Sequence, residues 1–153
     1  MSFIVGIDGP AGTGKGTITN LVAKDLKLNQ IDTGAMYRAF TLYMLDNKVE
    51  LDEIEKIKEL LEKVKIDLIQ EDDKETVFLN GKDVTKEIRS KSVTNFVSPV
   101  SSIIEVRIKM VELQRKMAEG KNVIMEGRDI TTYVFPNANV KIYLDANVEE
   151  RAK

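Results

Sequence analysis

Short apolar runs alternate with segments of helical periodicity along most of the chain. The first run, residues 3–7, ends at Asp8, and a glycine-rich stretch separates it from a helical pattern over residues 15–26. The same two patterns recur and predict strands at residues 29–32, 122–125 and 140–144 and helices at residues 34–45, 51–64 and 103–118. Strands that alternate with helices predict an α/β fold with a parallel sheet and right-handed crossovers.

Local signals mark where several of these elements begin and end. Asp52 and Glu53 are expected in the first turn of the third helix, where acidic side chains favour the positive end of the helix dipole. Gly120 is predicted to stop the helix that precedes it. A further helix is expected to start at Asn147 and to run to the last residue.

The middle of the chain changes to a period of two. Residues 66–69 and 76–79 are rich in β-formers and flank an acidic loop at residues 71–73. Asn80 and Gly81 form a strong tight-turn signal and are followed by residues 82–84. We therefore predict a small antiparallel meander of about three strands, inserted into the parallel α/β layer.

Composition narrows the class of protein. A chain of 153 residues with 42% hydrophobic and 31% charged residues suits one globular domain. With 23 basic and 25 acidic residues the net charge is −2, which gives no bulk attraction to nucleic acid or to an anionic membrane. Any anionic ligand must therefore be held by local positive groups.

The residue types that are missing exclude several chemistries. The chain has no cysteine and no histidine, which excludes disulfides, Cys/His zinc sites and Ser–His or Cys–His nucleophilic catalysis. A hard cation held by oxygen ligands stays compatible with the composition. The first residues do not resemble a signal peptide, and no apolar segment is long enough to span a bilayer.

The glycine-rich stretch is the strongest chemical signal. It matches the first seven positions of the phosphate-loop pattern G-x-x-x-x-G-K, between a predicted strand and a predicted helix. Glycines let backbone N–H groups turn toward phosphate oxygens, and the lysine places a point charge on the β- and γ-phosphates. The predicted nucleotide-phosphate site consists of Gly9, Pro10, Ala11, Gly12, Thr13, Gly14, Lys15, Gly16 and Thr17. A glycine-rich turn before an ordinary helix is the alternative.

The metal ligands predicted beside this loop depart from the usual pattern. The Ser or Thr that holds Mg²⁺ normally follows the lysine directly, whereas here Gly16 intervenes and the hydroxyl comes at Thr17. Glu126 ends a strand predicted to lie next to the phosphate-loop strand, where an acid can hold Mg²⁺ directly or through water. Asp8 and Asp32 also end strands at this edge, and each could hold the loop, Mg²⁺-bound water or a helix N-terminus.

Four segments together resemble one family. They are the phosphate loop, DTGAMYR at residues 32–38, EGRDITTYVFP at residues 126–136, and VKIYLDA with EERA at residues 140–152. Together they resemble bacterial cytidylate kinases, nucleoside monophosphate kinases of the P-loop class, over residues 4–153. The resemblance implies a three-layer P-loop fold, Mg²⁺ as cofactor, and transfer of the γ-phosphoryl of ATP to CMP or dCMP.

The resemblance also assigns roles to residues. Lys15, Arg38 and Arg128 would be catalytic, because a phosphate acceptor is already anionic and needs positioning and charge neutralisation more than a base. The CMP site would comprise Thr33, Arg38, Ser98, Arg107, Arg128 and Asp129. Alternatives stay open. Arg38, Arg128 and Arg107 could each be an exposed surface arginine. Asp129 could be a helix cap or a partner of Arg128, and Ser98 could start a helix before Pro99.

The resemblance carries expectations about organisation and setting. A core of about residues 1–60 and 90–153 would carry a monophosphate-binding insert at about residues 61–90, within one P-loop kinase domain. The family continues into an arginine-rich lid and a last strand, so weak ATP binding, low turnover and an uncovered edge strand are expected here. We expect a cytoplasmic monomer of pyrimidine metabolism that binds ATP and CMP or dCMP but neither nucleic acid nor membrane. A P-loop kinase for another acceptor and an inert nucleotide-binding fragment are the competing interpretations.

Overall fold

The described residues contain a mixed α/β structure. The computed structural model describes residues 3–9, 15–71, 74–127 and 129–144, with Lys15 described by its backbone alone. The strands are β1 (Phe3–Asp8), β2 (Asn29–Ile31), β3 (Ile66–Glu71), β4 (Lys74–Leu79), β5 (Lys82–Asp83), β6 (Asn122–Gly127) and β7 (Val140–Tyr143). The helices are α1 (Lys15–Leu26), α2 (Thr33–Asp46), α3 (Ile54–Lys63), α4 (Lys91–Ser101) and α5 (Ile104–Ala118). A 3₁₀ turn spans Glu87–Arg89 and a π-helical turn spans Ile130–Val134.

Four strands form a parallel sheet in the order β2-β6-β1-β7. The connection that follows β1 leads to β2 at one edge of the sheet, and the connection that follows β6 leads to β7 at the other edge. The neighbouring strands β1 and β6 therefore have connections that run in opposite directions. Their register runs from Phe3 beside Asn122 to Asp8 beside Gly127. The carboxyl ends of these two strands therefore meet at one edge, where open α/β sheets bind ligands. The predicted α/β class with a parallel sheet is confirmed.

Both faces of β1 are covered, and by different elements. Val5 and Ile7 join Ile124 in a core that also contains α1 side chains such as Ile18 and Val22. Gly6 points to the other face, because successive side chains of a strand alternate. A Cβ built on Gly6 would lie 2.9 Å from Cγ2 of Thr131 in the π-helical turn. Helix, sheet and turn thus form three layers at this strand.

The remaining strands form an antiparallel sheet in the order β3-β4-β5, as the period-two pattern predicts. Asn80 and Gly81 connect β4 to β5 with φ of 51° and 85°, the positive values that a two-residue hairpin turn requires. The Oδ1 atom of Asn80 accepts a hydrogen bond of 2.7 Å from the backbone N–H of Lys65, which ties the turn to the start of the meander. The predicted meander is confirmed.

Two helix boundaries were predicted with different success. α3 begins at Ile54, so Asp52 and Glu53 precede its first turn and the prediction that they lie within it was wrong. Glu53 instead occupies the N-cap position, and its carboxylate accepts a 2.8 Å hydrogen bond from the N–H of Glu50. Gly120 follows the end of α5 with a φ of 68°, which confirms it as a helix stop.

Helix α4 was not predicted. Its N-cap is Ser90, whose hydroxyl accepts a 3.3 Å hydrogen bond from the N–H of Val93. Ser98 and Pro99 lie inside the second half of this helix, so the alternative that Ser98 starts a helix was wrong. The apolar spacing of Val93, Val97 and Val100 is helical and could have revealed it.

The chain divides into two compact units. The first contains Met1–Thr33 with Leu113–Lys153, and the second contains Gly34–Glu112. The predicted functional division into a core and an insert at about residues 61–90 follows other boundaries and stays a prediction. The helix expected from Asn147 lies outside the described residues. None of the helices in the described ranges is both long and apolar enough to cross a membrane.

Candidate active site

The expected surroundings of the phosphate loop are present on both sides of it. β1 ends at Asp8, the N–H of Gly9 donates a 3.3 Å hydrogen bond to the carbonyl of Gly127, and α1 begins at Lys15. Residues 10–14, which include Pro10, Ala11, Gly12, Thr13 and Gly14, lie outside the described residues, as does the side chain of Lys15. The described residues on the two sides of the loop are therefore the carboxyl end of a strand and the N-terminus of a helix, the context in which backbone N–H groups can bind phosphate.

Glu126 lies against the first turns of α1. Its Oε2 atom accepts a 3.3 Å hydrogen bond from Oγ1 of Thr19, which is fully buried. A Cβ built on Gly16 would lie 3.7 Å from the same Oε2 atom. The carboxylate is thus within van der Waals reach of the helix that follows the phosphate loop. Thr19 was not predicted, because its contact arises from strand order and not from spacing along the chain.

The oxygen donors at this position suit Mg²⁺. Glu126 supplies a half-buried carboxylate, and Thr17 supplies an exposed hydroxyl in the first turn of α1. The described ranges contain no group of three or more acidic side chains that could enclose a metal. Mg²⁺ generally keeps several waters and takes one or two carboxylates together with substrate phosphates, so a single carboxylate beside a phosphate loop is compatible with it. Direct ligation by Thr17 and Glu126 stays a prediction.

Asp8 has a structural role that resolves one open alternative. It is 2% exposed, its Oδ1 accepts a 2.8 Å hydrogen bond from the N–H of Ile130, and its Oδ2 accepts one of 2.8 Å from the N–H of Thr131. The hydroxyl of Thr131 donates to the same Oδ2 atom. Both carboxylate oxygens are therefore used at the start of the π-helical turn. Of the roles considered from sequence, the structure supports that of a cap.

Thr33 lies beside the end of β6. Its Oγ1 donates a 3.2 Å hydrogen bond to the carbonyl of Glu126, and a Cβ built on Gly127 would lie 3.9 Å from the same Oγ1 atom. The structure therefore brings the junction of β2 and α2 next to the acid at the end of β6. The single hydroxyl proton of Thr33 is engaged by that carbonyl in this arrangement. Its contact with the acceptor phosphate stays a prediction.

Asp129 immediately precedes the π-helical turn. Its carbonyl accepts hydrogen bonds from the N–H groups of Tyr133, at 2.8 Å, and Val134, at 3.2 Å. Asp129 occupies the N-cap position of the turn, as one alternative had it, although its half-buried side chain makes no capping hydrogen bond. Arg128 lies outside the described residues. The assigned ribose contact of Asp129 stays a prediction.

Arg38, in the second compact unit, is half-buried and has structural partners. Its Nη1 atom donates to the carbonyl of Ile88 at 3.1 Å and to Oγ1 of Thr94 at 3.0 Å. These contacts join α2 to the 3₁₀ turn and to α4. The guanidinium has five N–H donors, so it can make this bridge and still present donors to a phosphate.

Ser98 and Arg107 are also in the second unit. Ser98 is exposed on α4, and its carbonyl accepts a 3.2 Å hydrogen bond from Oγ of Ser102. Arg107 is exposed on α5, and its backbone N–H donates to the carbonyl of Ile103 at 3.0 Å. Both side chains are accessible from solvent, as recognition of a base requires. Their contacts with cytosine stay predictions.

The fold and the residues at the carboxyl edge of the parallel sheet define the class of protein. A parallel sheet, a glycine-rich connection from its first strand into a helix, and an acid at the end of the adjacent strand characterise the P-loop α/β proteins. A family model described as cytidylate kinase matches residues 5–153. The chain belongs to the cytidylate kinase family.

Curated relatives support the same assignment. The chain is 50% identical over 149 residues to the cytidylate kinase of Caldicellulosiruptor saccharolyticus and 51% identical over 149 residues to that of Geobacillus sp., and covers 66% of each protein. It is 50% identical over 152 residues to the cytidylate kinase of Fusobacterium nucleatum, of which it covers 68%. These alignments include 97%, 97% and 99% of the chain. The chain thus spans about two thirds of the length of these relatives. A solved structure, TT1252 from Thermus thermophilus, is 17% identical with a TM-score of 0.42 over 98% of this chain and 69% of that one, a score too low to support an argument.

Proposed function

We propose that the protein is a nucleoside monophosphate kinase that transfers the γ-phosphoryl of ATP to CMP or dCMP and produces CDP or dCDP. The observation that carries the proposal is the cytidylate kinase family match over residues 5–153. Identities of about 50% to three proteins named cytidylate kinase support the choice of acceptor. Because the chain spans about two thirds of those proteins, its activity belongs to the proposal as much as its substrates do.

ATP would be held by the backbone of residues 9–17 and by Lys15. The N-terminus of α1 directs backbone N–H groups and the positive end of the helix dipole toward the segment after β1. Lys15 would place its charge on the β- and γ-phosphates. The position of Glu126 against Gly16 and Thr19 supports a phosphate-side role for its carboxylate.

Mg²⁺ would be held by Glu126 and Thr17, directly or through water. The ion supplies charge neutralisation for the phosphates when bound. The chain contributes the carboxylate at the end of β6 and the hydroxyl in the first turn of α1, the helix that follows the phosphate loop. The proton of the Thr19 hydroxyl is directed at Oε2 of Glu126 and helps to keep that carboxylate in one orientation.

CMP would be held by Arg38, Arg128 and Thr33 at its phosphate and by Asp129 at its ribose hydroxyls. Ser98 and Arg107 would contact the cytosine edge, since that edge needs both a donor and an acceptor. No general base is required, because the attacking phosphate oxygen is already anionic near neutral pH. Rate enhancement would come from alignment and from the positive charge of Lys15, Arg38 and Arg128.

Calorimetry of CMP binding to the wild type and to Arg128→Ala tests the proposal. We expect the variant to lose about 1.5–3 kcal/mol of binding free energy, the usual contribution of a charged hydrogen-bonding group. Lys121→Ala is the matched control, because Lys121 is an exposed cation at the opposite end of β6. Equal CMP affinities for wild type and Arg128→Ala would overturn the assigned acceptor site.

A coupled assay of ADP production decides between the competing functions. With Mg²⁺-ATP we expect CMP and dCMP to be preferred over UMP and AMP. A preference for AMP would identify a P-loop kinase for another acceptor. Binding of CMP and ATP without ADP production would identify an inert nucleotide-binding chain.

The setting of this activity is part of the same proposal. We place the protein in the cytoplasm and in pyrimidine nucleotide metabolism, as a monomer without nucleic-acid or membrane partners. The net charge of −2 supports the absence of bulk attraction to those anionic partners. A molar mass near 17.2 kDa by light scattering is expected for the monomer, and a value twice as large would contradict it.

A further inference from the structure

The π-helical turn Ile130–Val134 is held by ionisable side chains at both ends. Asp8, at the end of β1, bonds the N–H groups that open the turn, and Arg115, near the end of α5, bonds the carbonyls that close it. Neither residue is among those assigned to ATP, CMP or Mg²⁺. π-helical turns are rare in proteins, and those that occur are often found at functional sites. Here the turn directly follows Asp129.

At the start of the turn, Asp8 accepts from residues far away in sequence. The two backbone bonds from Ile130 and Thr131 are both 2.8 Å long, and the Thr131 hydroxyl adds a third bond. Free N–H groups at a helix start need acceptors, and a carboxylate is a strong one because it also complements the local dipole. Asp8 is 2% exposed, so water cannot readily replace it.

At the end of the turn, Arg115 uses two nitrogens. Its Nε donates to the carbonyl of Val134 and its Nη2 donates to the carbonyl of Tyr133, both at 2.9 Å. The rigid fork of a guanidinium suits two neighbouring acceptors, whereas a lysine or an amide cannot reproduce that pair of bonds. The positive charge also complements the carbonyl end of the turn.

The turn is also fixed against the sheet by close packing. A Cβ on Gly6 would lie 2.9 Å from Cγ2 of Thr131, and one on Gly127 would lie 3.0 Å from Cγ1 of Ile130. Ile130 is 2% exposed. The absence of side chains on the two glycines therefore lets the turn approach β1 and β6 closely, and a shift of the turn would disturb both strands.

Asp129 is coupled to this turn through its backbone. Its carbonyl accepts from Tyr133 and Val134, the same two residues whose carbonyls Arg115 binds. We propose that Asp8 and Arg115 are positioning residues that hold the two ends of the turn and so fix Asp129 for recognition of the acceptor nucleotide. This inference rests on the proposed function, because it takes the acceptor to be CMP.

The test compares CMP and ATP binding by the 153-residue chain with its Arg115→Gln variant. We expect the variant to bind CMP about tenfold more weakly, while its ATP affinity stays within about twofold, since small displacements of binding groups are costly but local. Lys116→Gln is the matched control, because it removes a cation from the next position of the same helix. Arg115→Lys should fall between wild type and Arg115→Gln, since it restores charge without the fork.

Two outcomes would overturn the positioning role. Unchanged CMP affinity in Arg115→Gln would show that the turn does not depend on the guanidinium. Equal weakening of CMP and ATP binding would show a general loss of structure. Asp8→Asn serves as the second variant, with the same expected selectivity for CMP, but the Arg115 series decides the matter if Asp8→Asn does not fold.

Hydrogen exchange separates this inference from the proposed function. If the wild type does not bind CMP, the proposed acceptor is wrong. Hydrogen exchange at residues 130–135 then shows, independently of CMP binding, whether Arg115 holds the turn. We expect faster exchange there in Arg115→Gln and not in Lys116→Gln. Identical exchange in the three proteins would mean that Arg115 does not hold the turn.

Discussion

The hydroxyl of Thr19 lies 3.3 Å from Oε2 of Glu126, although the two residues are 107 positions apart in sequence. The contact joins α1, which follows the phosphate loop, to the strand next to β1. The hydrogen bond keeps the carboxylate beside the helix that follows the phosphate loop, where the proposed ATP site would bring it near the nucleotide phosphates. This relationship makes Glu126 the most informative residue for testing the proposed metal site.

Replacing Glu126 with glutamine should impair use of Mg²⁺ more than folding. The amide keeps the size of the side chain but removes the charge that attracts a hard cation. We expect the Mg²⁺ concentration for half-maximal activity, or for half-maximal Mg²⁺-dependent ATP binding, to rise about tenfold or more. Titration of MgCl₂ at fixed ATP measures it.

Glu119→Gln is the control for that experiment, because Glu119 is an exposed acid just after α5. The control should titrate like the wild type. A Glu126→Gln protein with the same Mg²⁺ dependence as the wild type would remove Glu126 from the metal site.

Arg38 should contribute to both stability and acceptor binding, and two variants separate these effects. Thr94→Val removes one hydrogen-bond partner of Nη1 without touching the charge, so we expect CMP affinity to stay within about twofold. Arg38→Ala removes the guanidinium and should cost about 1.5–3 kcal/mol of CMP binding. Calorimetry on both proteins gives the comparison. If both variants bind CMP like the wild type, Arg38 bridges α2, the 3₁₀ turn and α4 and has no part in gripping CMP.

The hairpin turn at Asn80 and Gly81 should be sensitive to a single Cβ. Gly81 has a φ of 85° and no atom within 4 Å of a built Cβ, so Gly81→Ala tests backbone strain without a clash. We expect a loss of about 1 kcal/mol in unfolding free energy by urea titration. Lys82→Ala, at an exposed position of the same hairpin, should cost much less.

The same variant addresses the predicted role of the insert. If the meander grips CMP, Gly81→Ala should also weaken CMP binding under conditions where the protein remains folded. Unchanged CMP affinity, with the expected loss of stability, would leave the meander a structural element only.

Asp83 provides a prediction about pH. Hydrogen bonds from the side chain and then the backbone N–H of Thr85, at 2.6 Å and 3.0 Å, hold the pKa of Asp83 below its ordinary value of 3.8. A lowered folded-state pKa stabilises the protein above the unfolded-state pKa, and the contribution disappears as the pH falls through the folded-state value. We expect Thr85→Val to raise the pKa of Asp83, measured by NMR titration of its carboxyl carbon.

The Thr85 hydroxyl also accepts a 3.0 Å hydrogen bond from the N–H of Val77, so Thr85→Val should lose some stability at every pH. The pH-dependent part of the stability difference between Thr85→Val and the wild type should shrink when the pH falls below the folded-state pKa of Asp83. Thr85→Ser keeps the hydroxyl and should restore the low pKa. A pKa that is the same in Thr85→Val and the wild type would refute the assigned cause.

Much of the local structure could be predicted because its signals lie within a few residues. The alternation of apolar and polar residues and the Asn80–Gly81 pair specify the meander. Helical spacing specifies helices such as α5, and Gly120 marks its end. α4 was missed because Ser98 and Pro99 suggested a helix start. Proline fits a first turn, whereas inside a helix it removes one hydrogen bond and its ring crowds the carbonyl four residues earlier. Burial of Val93 and Val100 on this helix offsets that cost.

The sequence by itself determined the alternation of strands and helices, the phosphate-loop pattern and the family to which the chain belongs. Tertiary structure decided that β6 lies between β2 and β1, which brings Glu126 to Thr19, and that Asp8 and Arg115 bind the two ends of a π-helical turn. The difference has a physical reason: propensity and periodicity act over a few residues. The contacts of Asp8, Glu126 and Arg115 join elements that come together only when the sheet assembles and its faces are buried.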